Sequence, residues 1–299
     1  MVAVLITGAT GKQGSSLIRN LVARKSPFEI LAVTRNAQSS SALKLAKLSS
    51  NIKLVEGNLD DPAAIFRSAQ QITKSSIWGV FSVQLSVGNG AQEEPQGKAL
   101  VDHSIKENVQ CFVYSSADRG GDESYTTPTR VPHFISKYNI EHHLVDRSKN
   151  TDMRWTILRP VAFYENLVPG LFGKVFATSF KMALKGKPLQ MVATDDIGFF
   201  AAEAFSNPEN YQNRAISLAG DELTFDQMAS IFKQKTGQEV PATFQILCSV
   251  FMFLVKDMGY MFKWFHDVGF KANISDLKKI NPSLKDFGTW LEHDSEFKR

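Results

Sequence analysis

Short uncharged apolar runs alternate with stretches of helical periodicity along more than half of the chain. The first run, Val2, Val4, Leu5 and Ile6, reads as a strand buried on both faces of a parallel sheet, and Leu17, Ile18, Leu21 and Val22 then recur at helical spacing. Apolar runs at 29–33, 51–55, 78–83, 111–114 and 153–158 predict five more strands. Helical stretches of about ten to fifteen residues separate them, which is the pattern of an α/β fold with a doubly wound parallel sheet. One helix follows Asp60, Asp61 and Pro62, with acids at its first turn where the helix dipole favours them. Another is expected over 98–107, after a loop that runs on from Gln84 through 95–97.

Beyond residue 160 the pattern changes. Helices are expected at 171–184 and 196–205, then a short strand at 214–218. Thr224 and Gln227 make a capping box for a helix that stops at Gly237. Residues 244–270 are dense in Phe, Met and Trp, with Phe251, Met252, Val255, Met258, Met261, Phe262 and Phe265 near helical spacing. Such a stripe reads as core. Because Met and aromatic side chains repack around varied apolar partners, part of it, with Trp264, is also a candidate lid or protein-binding surface. Trp290 and Leu291 are expected to dock the last helix. The expected division is a doubly wound, Rossmann-like domain over 1–160, to which later segments return, and a smaller α/β domain for substrate or partner over 161–299.

With 299 residues, 43% of them hydrophobic, the chain can bury a large core. Its net charge of +4 is the balance of 34 basic and 30 acidic residues with no basic block, so direct nucleic-acid binding is not expected. Cys111 and Cys248 stand in apolar surroundings without C-x-x-C or Cys/His spacing, which implies reduced core thiols and no metal site. The first strand starts at once, leaving no room for a signal or transit peptide, and the longest apolar stretch, 246–255, is about half a membrane span. The expectation is a soluble protein of the cytoplasm, with the nucleus as a second compartment.

The chemistry gathers at strand ends. Between the first strand and helix stand Gly8, Ala9, Thr10, Gly11, Lys12, Gln13 and Gly14. Gly8 allows a tight turn, Gly11 has no Cβ to block a pyrophosphate, Gly14 lets the helix sit close, and the helix N–H groups face the phosphates. The second strand ends in Thr34, Arg35 and Asn36, without the acid that binds a ribose 2′-OH about 20 residues after the glycines in NAD-selective proteins. Arg35 can pair with a 2′-phosphate, which favours NADP(H) over NAD(H); its alternative is a solvated loop arginine. Asn58 and Leu59 fall where such folds lie along the adenine, and Gln84, Leu85 and Ser86 begin the loop after the fourth strand. Ser115 and Ser116 end the fifth strand, as a catalytic serine or as strand caps.

Active short-chain dehydrogenases pair a proton-donating tyrosine with a lysine four residues on, one helical turn away. Here those positions hold His133 and Lys137. A histidine can act as an acid near neutral pH, but its ring is shorter than a phenol; the other reading is a ring packed in the cleft without proton transfer. Lys137 can bind ribose hydroxyls with or without turnover.

The segments VLITGATGKQG, VTRN, GNLDD, VYSS, RVPHFISK and RPVAFYENL, in this order, resemble the NmrA-like family of atypical short-chain dehydrogenases over nearly the whole length. The resemblance implies an NADP(H) protein. It implies pyrophosphate contacts from Gly8, Ala9, Thr10, Gly11, Lys12 and Gln13, and 2′-phosphate-side contacts from Arg35, Asn36, Ala37 and Gln38. Asn58 and Leu59 would meet the adenine, and Gln84, Leu85, Ser86, Lys137, Phe163, Tyr164, Glu165 and Asn166 would also touch cofactor, an aromatic walling the nicotinamide. With tyrosine replaced by His133, the first expectation is a regulator, a redox sensor that binds NADP(H) and acts through a protein partner. The alternative is an NADPH-dependent reductase of a small apolar quinone, enone or carbonyl compound.

Overall fold

The computed structural model describes residues 1–86 and 92–297. The chain folds into two compact units, one of 1–116, 136–159 and 197–216, the other of 117–135, 160–196 and 217–299. Each is discontinuous in sequence: 117–135 groups with the second unit, and 197–216 returns to the first.

In the first unit β1 (Val2–Ile6), α1 (Lys12–Ala23), β2 (Phe28–Thr34), α2 (Ser40–Ala46), β3 (Ile52–Glu56), α3 (Pro62–Ile72) and β4 (Ile77–Ser82) follow one another. They continue through α4 (Glu93–Lys106), β5 (Cys111–Ser115), α5 (Pro132–Ser148) and β6 (Arg154–Pro160), with α5 and β6 running across the unit boundary. The sheet order is β3-β2-β1-β4-β5-β6, completed at the edge by a later strand, and its registered pairs from β3 to β6 are parallel. Ala3, Leu5, Leu31, Val80 and Phe112 are fully buried, which explains strands without polar alternation. On α1 only the stripe of Leu17, Ile18 and Leu21 with small Gly14 and Ser16 is buried. Cys111 and Cys248 are both buried free thiols, and burial pushes the Cys111 thiol up to about 12.

α4 begins at Glu93, not at 98. Pro95 lies in its first turn, where a missing N–H leaves no bond unmade, and Glu93 and Glu94 suit the positive end of the helix. The loop expected before it passes through 87–91, which lie outside the described residues.

The second unit carries β7 (Ala162–Phe163), α6 (Leu171–Leu184) and β8 (Leu189–Val192), then α7 (Thr194–Ser206), which runs into the first unit. After α8 (Pro208–Tyr211) and β9 (Arg214–Leu218), the edge strand of the large sheet, come β10 (Asp221–Leu223), α9 (Phe225–Thr236) and α10 (Gln245–Leu254). α11 (Lys256–Asp267), α12 (Ile274–Ile280) and α13 (Phe287–His293) complete the chain. A three-stranded sheet, β10-β8-β7, backs a core of Phe176, Phe180, Phe232, Phe262, Phe287 and Trp290. Thr224 and Gln227 form the expected capping box of α9, and Gly237 closes its far end with φ +74°.

The Phe/Met/Trp-rich stretch is two helices with a break at Val255, bent by 111°. Of its expected stripe, Met252, Met258, Met261, Phe262 and Phe265 pack on the core, while Phe251 and Val255 are half-buried outside that cluster. α10 also carries an apolar outer face, with Ile246, Phe253 and Leu254 exposed. Among the described residues no single helix is long and apolar enough to cross a membrane, and this bent pair passes on length and composition together.

Candidate functional site

The strand order reverses between β1 and β4, and open α/β sheets bind ligands beyond the carboxyl ends of the strands at such a switch point. Thr7 fastens this point. Its hydroxyl donates to the Phe81 carbonyl at 3.0 Å and accepts from the Val83 amide at 2.9 Å. Gly8 turns the chain at φ +58°, which side chains rarely adopt, and the Gly11 amide donates back to the Gly8 carbonyl at 2.9 Å. A Cβ on Gly14 would lie 2.3 Å from that carbonyl oxygen, so α1 can rest on the turn only because residue 14 is glycine. A Cβ on Gly11 would meet that oxygen at 3.2 Å and otherwise point into open space. Gly11 is the N-cap of α1, and no side-chain hydrogen bond caps the helix there. The turn therefore fits a pyrophosphate, with helix-end N–H groups and no Cβ over them.

Ala9 is buried, while Thr10 and Lys12 are exposed. Gln13 is held from below: the Ser115 hydroxyl donates to its Oε1 at 2.5 Å. Ser116 bonds to Glu141, which also holds Arg159 at 2.7 Å in a buried pair, so Ser116 belongs to the fold.

At the end of β2 Arg35 is exposed. The Gln38 amide donates to Asn36 Oδ1 at 2.8 Å, and the Ala37 amide donates to Glu56 Oε2 at 3.0 Å. Two of the expected phosphate-side amides are thus taken, one by a carboxylate that the sequence did not single out. Asn58 donates to Asp60 at 2.6 Å and stays exposed, while Leu59 packs at the margin of the core. Asp61 is the N-cap of α3, just ahead of a first turn that holds no acid; Asp60 instead bridges Asn58 and Gln96.

Past β4, Gln84 is buried and donates to Ser82 at 2.9 Å, its Oε1 left without a hydrogen-bond partner. Leu85 is exposed. Ser86 donates to Glu93 Oε1 at 2.9 Å, and Lys137 Nζ meets the same oxygen at 2.8 Å. Lys137 is buried, within 3.5 Å of the Ser115 carbonyl and over the Tyr114 ring. Glu93 is the partner that sequence reading missed; its local signal was the Glu93-Glu94-Pro95 helix start.

In the second unit, His133 Nδ1 lies 2.6 Å from Asp257 Oδ1, and the imidazole meets Phe134 edge-on at 4.6 Å. Asp257 comes from the first turn of α11, 124 residues away in sequence, and no local signal linked the two. Phe163 and Asn166 are half-buried. Tyr164 does not wall a cofactor with its ring. It is fully buried between Phe287 and Trp290, at 5.6 and 5.5 Å, and burial pushes its hydroxyl well above the usual range. Glu165 accepts from the Thr194 amide and hydroxyl, both at 2.8 Å, and so caps α7.

A parallel sheet with a glycine turn joining β1 to α1 defines a Rossmann-type α/β protein. The model of the NmrA-like family matches residues 2–291, and the chain belongs to that family. It is 29% identical over 268 residues to the NmrA-like family domain-containing oxidoreductase hkm9 of Aspergillus hancockii, covering 82% of this chain and 75% of that one. Its fold is similar to that of the NADPH-dependent quinone oxidoreductase QOR2 of Escherichia coli, solved with NADPH, at TM-score 0.73 and 20% identity over 97% of this chain and 99% of that one. It is also similar to NmrA, a negative transcriptional regulator solved with NADP, at TM-score 0.69 and 18% identity over 98% and 94% of the two chains.

Proposed function

We propose that the protein is an NADP(H)-dependent reductase whose first unit holds the nucleotide and whose substrate is a small apolar quinone, enone or carbonyl compound. The observation that carries this reading is the arrangement at the strand ends of the first unit: the turn open over Gly11, the uncapped start of α1 and buried Lys137. Arg35 favours a 2′-phosphate there. That hkm9 is an oxidoreductase and QOR2 an NADPH-dependent quinone oxidoreductase supports the same class. Sequence alone ranks a regulator first because tyrosine is missing. Quinones need little help from a protein acid, so that loss weighs little against reduction. Bound reduced nicotinamide supplies the hydride; Lys137 donates to ribose hydroxyls and Gly11 leaves room for the pyrophosphate.

Calorimetric titration with NADPH, NADP⁺, NADH and NAD⁺, followed by NADPH oxidation with a benzoquinone, tests this. The forms with the 2′-phosphate are expected to bind more tightly, and Lys137→Ala to slow turnover. Turnover that Lys137→Ala and Arg35→Ala leave untouched would assign the activity to some other site.

The second reading, a redox sensor acting through a protein partner, is favoured by the ion pair of Lys137 with Glu93. Ribose hydroxyls that recruit Lys137 loosen Glu93 and the first turn of α4, so nucleotide occupancy reaches beyond its own contacts. Such coupling is reciprocal. A partner that leaves nucleotide affinity unchanged would exclude it.

A further inference from the structure

We infer that α10 docks the protein on a lipid surface with anionic headgroups, its outer face lying in the plane of the interface. The inference is independent of the reductase reading, and every residue in it belongs to the second unit. The ten residues of α10 carry no charge, and Cys248 is the one buried among them. The inner side rests on α6: the Thr243 amide donates to Thr178 Oγ1 at 3.0 Å, and Cys248 Sγ lies 3.9 Å from the Val175 carbonyl oxygen. Ile246, Leu247, Val250, Phe253 and Leu254 recur at i, i+1, i+4, i+7 and i+8, which makes one stripe on the side away from Cys248. All five are exposed, Ile246, Phe253 and Leu254 by 79%, 80% and 72%.

A helix that is apolar on both sides is normally buried on both. The fold covers only the inner side of α10, so the outer side calls for a second apolar medium. The contacts with α6 step back from Thr178 to Val175 as the chain goes from 243 to 248, so the later turns of α10 head for the start of α6. There Leu171 and Phe172 are exposed as well and widen the apolar patch. α10 is about 15 Å long, roughly half the thickness of a bilayer's hydrocarbon core, so it lies on the bilayer and does not cross it. The protein body takes the part that a polar face plays in an interfacial helix.

Charge decides between a lipid surface and a second copy of the chain. α6 and α10 hold no acid. On α11 both acids are engaged, Asp257 with His133 and Asp267 with Lys263, each at 2.6 Å. Lys174 of α6 and Lys256, at the break after α10, are exposed and have no ion pair among the described residues. In a two-fold dimer the patch meets itself, so its free cations would meet only more cations. Anionic headgroups answer them, each lysine holding its charge at headgroup level while its stem covers apolar surface. Tyr260, one turn after Lys256 on the same side of α11, is exposed too, and a ring with a polar tip suits that boundary.

The full chain is mixed with vesicles of phosphatidylcholine, with and without phosphatidylserine, and bound protein is read by co-sedimentation. Wild type should bind the vesicles that contain phosphatidylserine, and less so as salt is raised. Lys174→Gln/Lys256→Gln should weaken that binding about twenty-fivefold, a factor of about five for each lysine. Ile246→Ser/Phe253→Ser/Leu254→Ser should abolish it and leave the urea unfolding midpoint at the wild-type value, because all three side chains are exposed. Wild type that ignores phosphatidylserine vesicles overturns the inference, as does binding that the triple variant keeps. The lysine variant leaves the apolar face intact and tests charge by itself: undiminished binding would overturn the part given to the headgroups. Sedimentation velocity examines the rival occupant. A dimer that the triple variant converts to monomer, with no vesicle binding, would give this face to a second copy and overturn the lipid surface.

Discussion

Lys137 and Glu93 close an ion pair at 2.8 Å, with side chains only 8% and 3% exposed. Each charge is out of water and is held by the other. Removing one leaves its partner buried and unpaired, which is far worse than replacing both. Glu93→Gln should therefore lose about 3–5 kcal/mol of stability in urea unfolding, and the double variant Glu93→Gln/Lys137→Met should recover most of it. A single variant that unfolds at the wild-type midpoint would show that the pair is not a structural link.

Gly11 and Gly14 separate binding from folding. A Cβ at 14 would press on the Gly8 carbonyl at 2.3 Å, so Gly14→Ala should force α1 away from the turn, destabilising the protein by about 1–3 kcal/mol. At 11 the added Cβ meets the same oxygen at a tolerable 3.2 Å and then occupies the space expected for pyrophosphate. Gly11→Ala should unfold within a few degrees of wild type yet lose NADPH affinity in calorimetry. Equal affinity in the two proteins would move the pyrophosphate elsewhere.

The fold was largely legible because its signals are local. A strand buried on both faces is apolar throughout, and the α9 capping box needs only Thr224 and Gln227. Pro95 hid the start of α4 by reading as a loop, and apolar residues that recur on both sides of Val255 hid the break between α10 and α11. At the candidate site, the turn built by Gly8, Gly11 and Gly14 could be read from one segment. The partners of the neighbouring groups could not: Glu56 meets Ala37, Glu93 meets Lys137, and Asp257 meets His133 only after the chain has folded. Tyr164 misled for the same reason, since Phe287 and Trp290, which enclose its ring, lie more than a hundred residues further on.

Towards the proposed nucleotide, Arg35 and Glu56 would act in opposite directions at the end of β2. The guanidinium is exposed and suits a 2′-phosphate, while the Glu56 carboxylate, bonded to the Ala37 amide, repels one and accepts from ribose hydroxyls. Arg35→Ala should weaken NADPH binding about tenfold to a hundredfold, the worth of one charged hydrogen bond, with little effect on NADH. Glu56→Gln should shift the preference the other way, towards NADPH. Parallel losses for both nucleotides in Arg35→Ala would mean that Arg35 does not read the 2′ position.

Asp196 gives the second unit a pH dependence of unusual sign. Its carboxylate is buried, accepting from Asn281 Nδ2 at 3.0 Å and from the Lys285 amide at 3.1 Å. Burial pushes its pKa from 3.8 to about 7, against the opposing pull of the Lys285 amide and ammonium. That ammonium is shared with Asp195 at 2.9 Å and Asp294 at 2.6 Å. Between about pH 4 and pH 7 the folded chain keeps a proton that the unfolded chain has released, so stability falls as pH rises through this window. The contribution is fully present in acid and lost above the folded pKa, by as much as about 4 kcal/mol. Asp196→Asn removes the titration and preserves the shape of the side chain. Urea unfolding from pH 4 to pH 8 should show the variant gaining on wild type as pH rises, with the largest difference above pH 7. A difference that stays constant over that range would mean that Asp196 does not titrate in the folded protein.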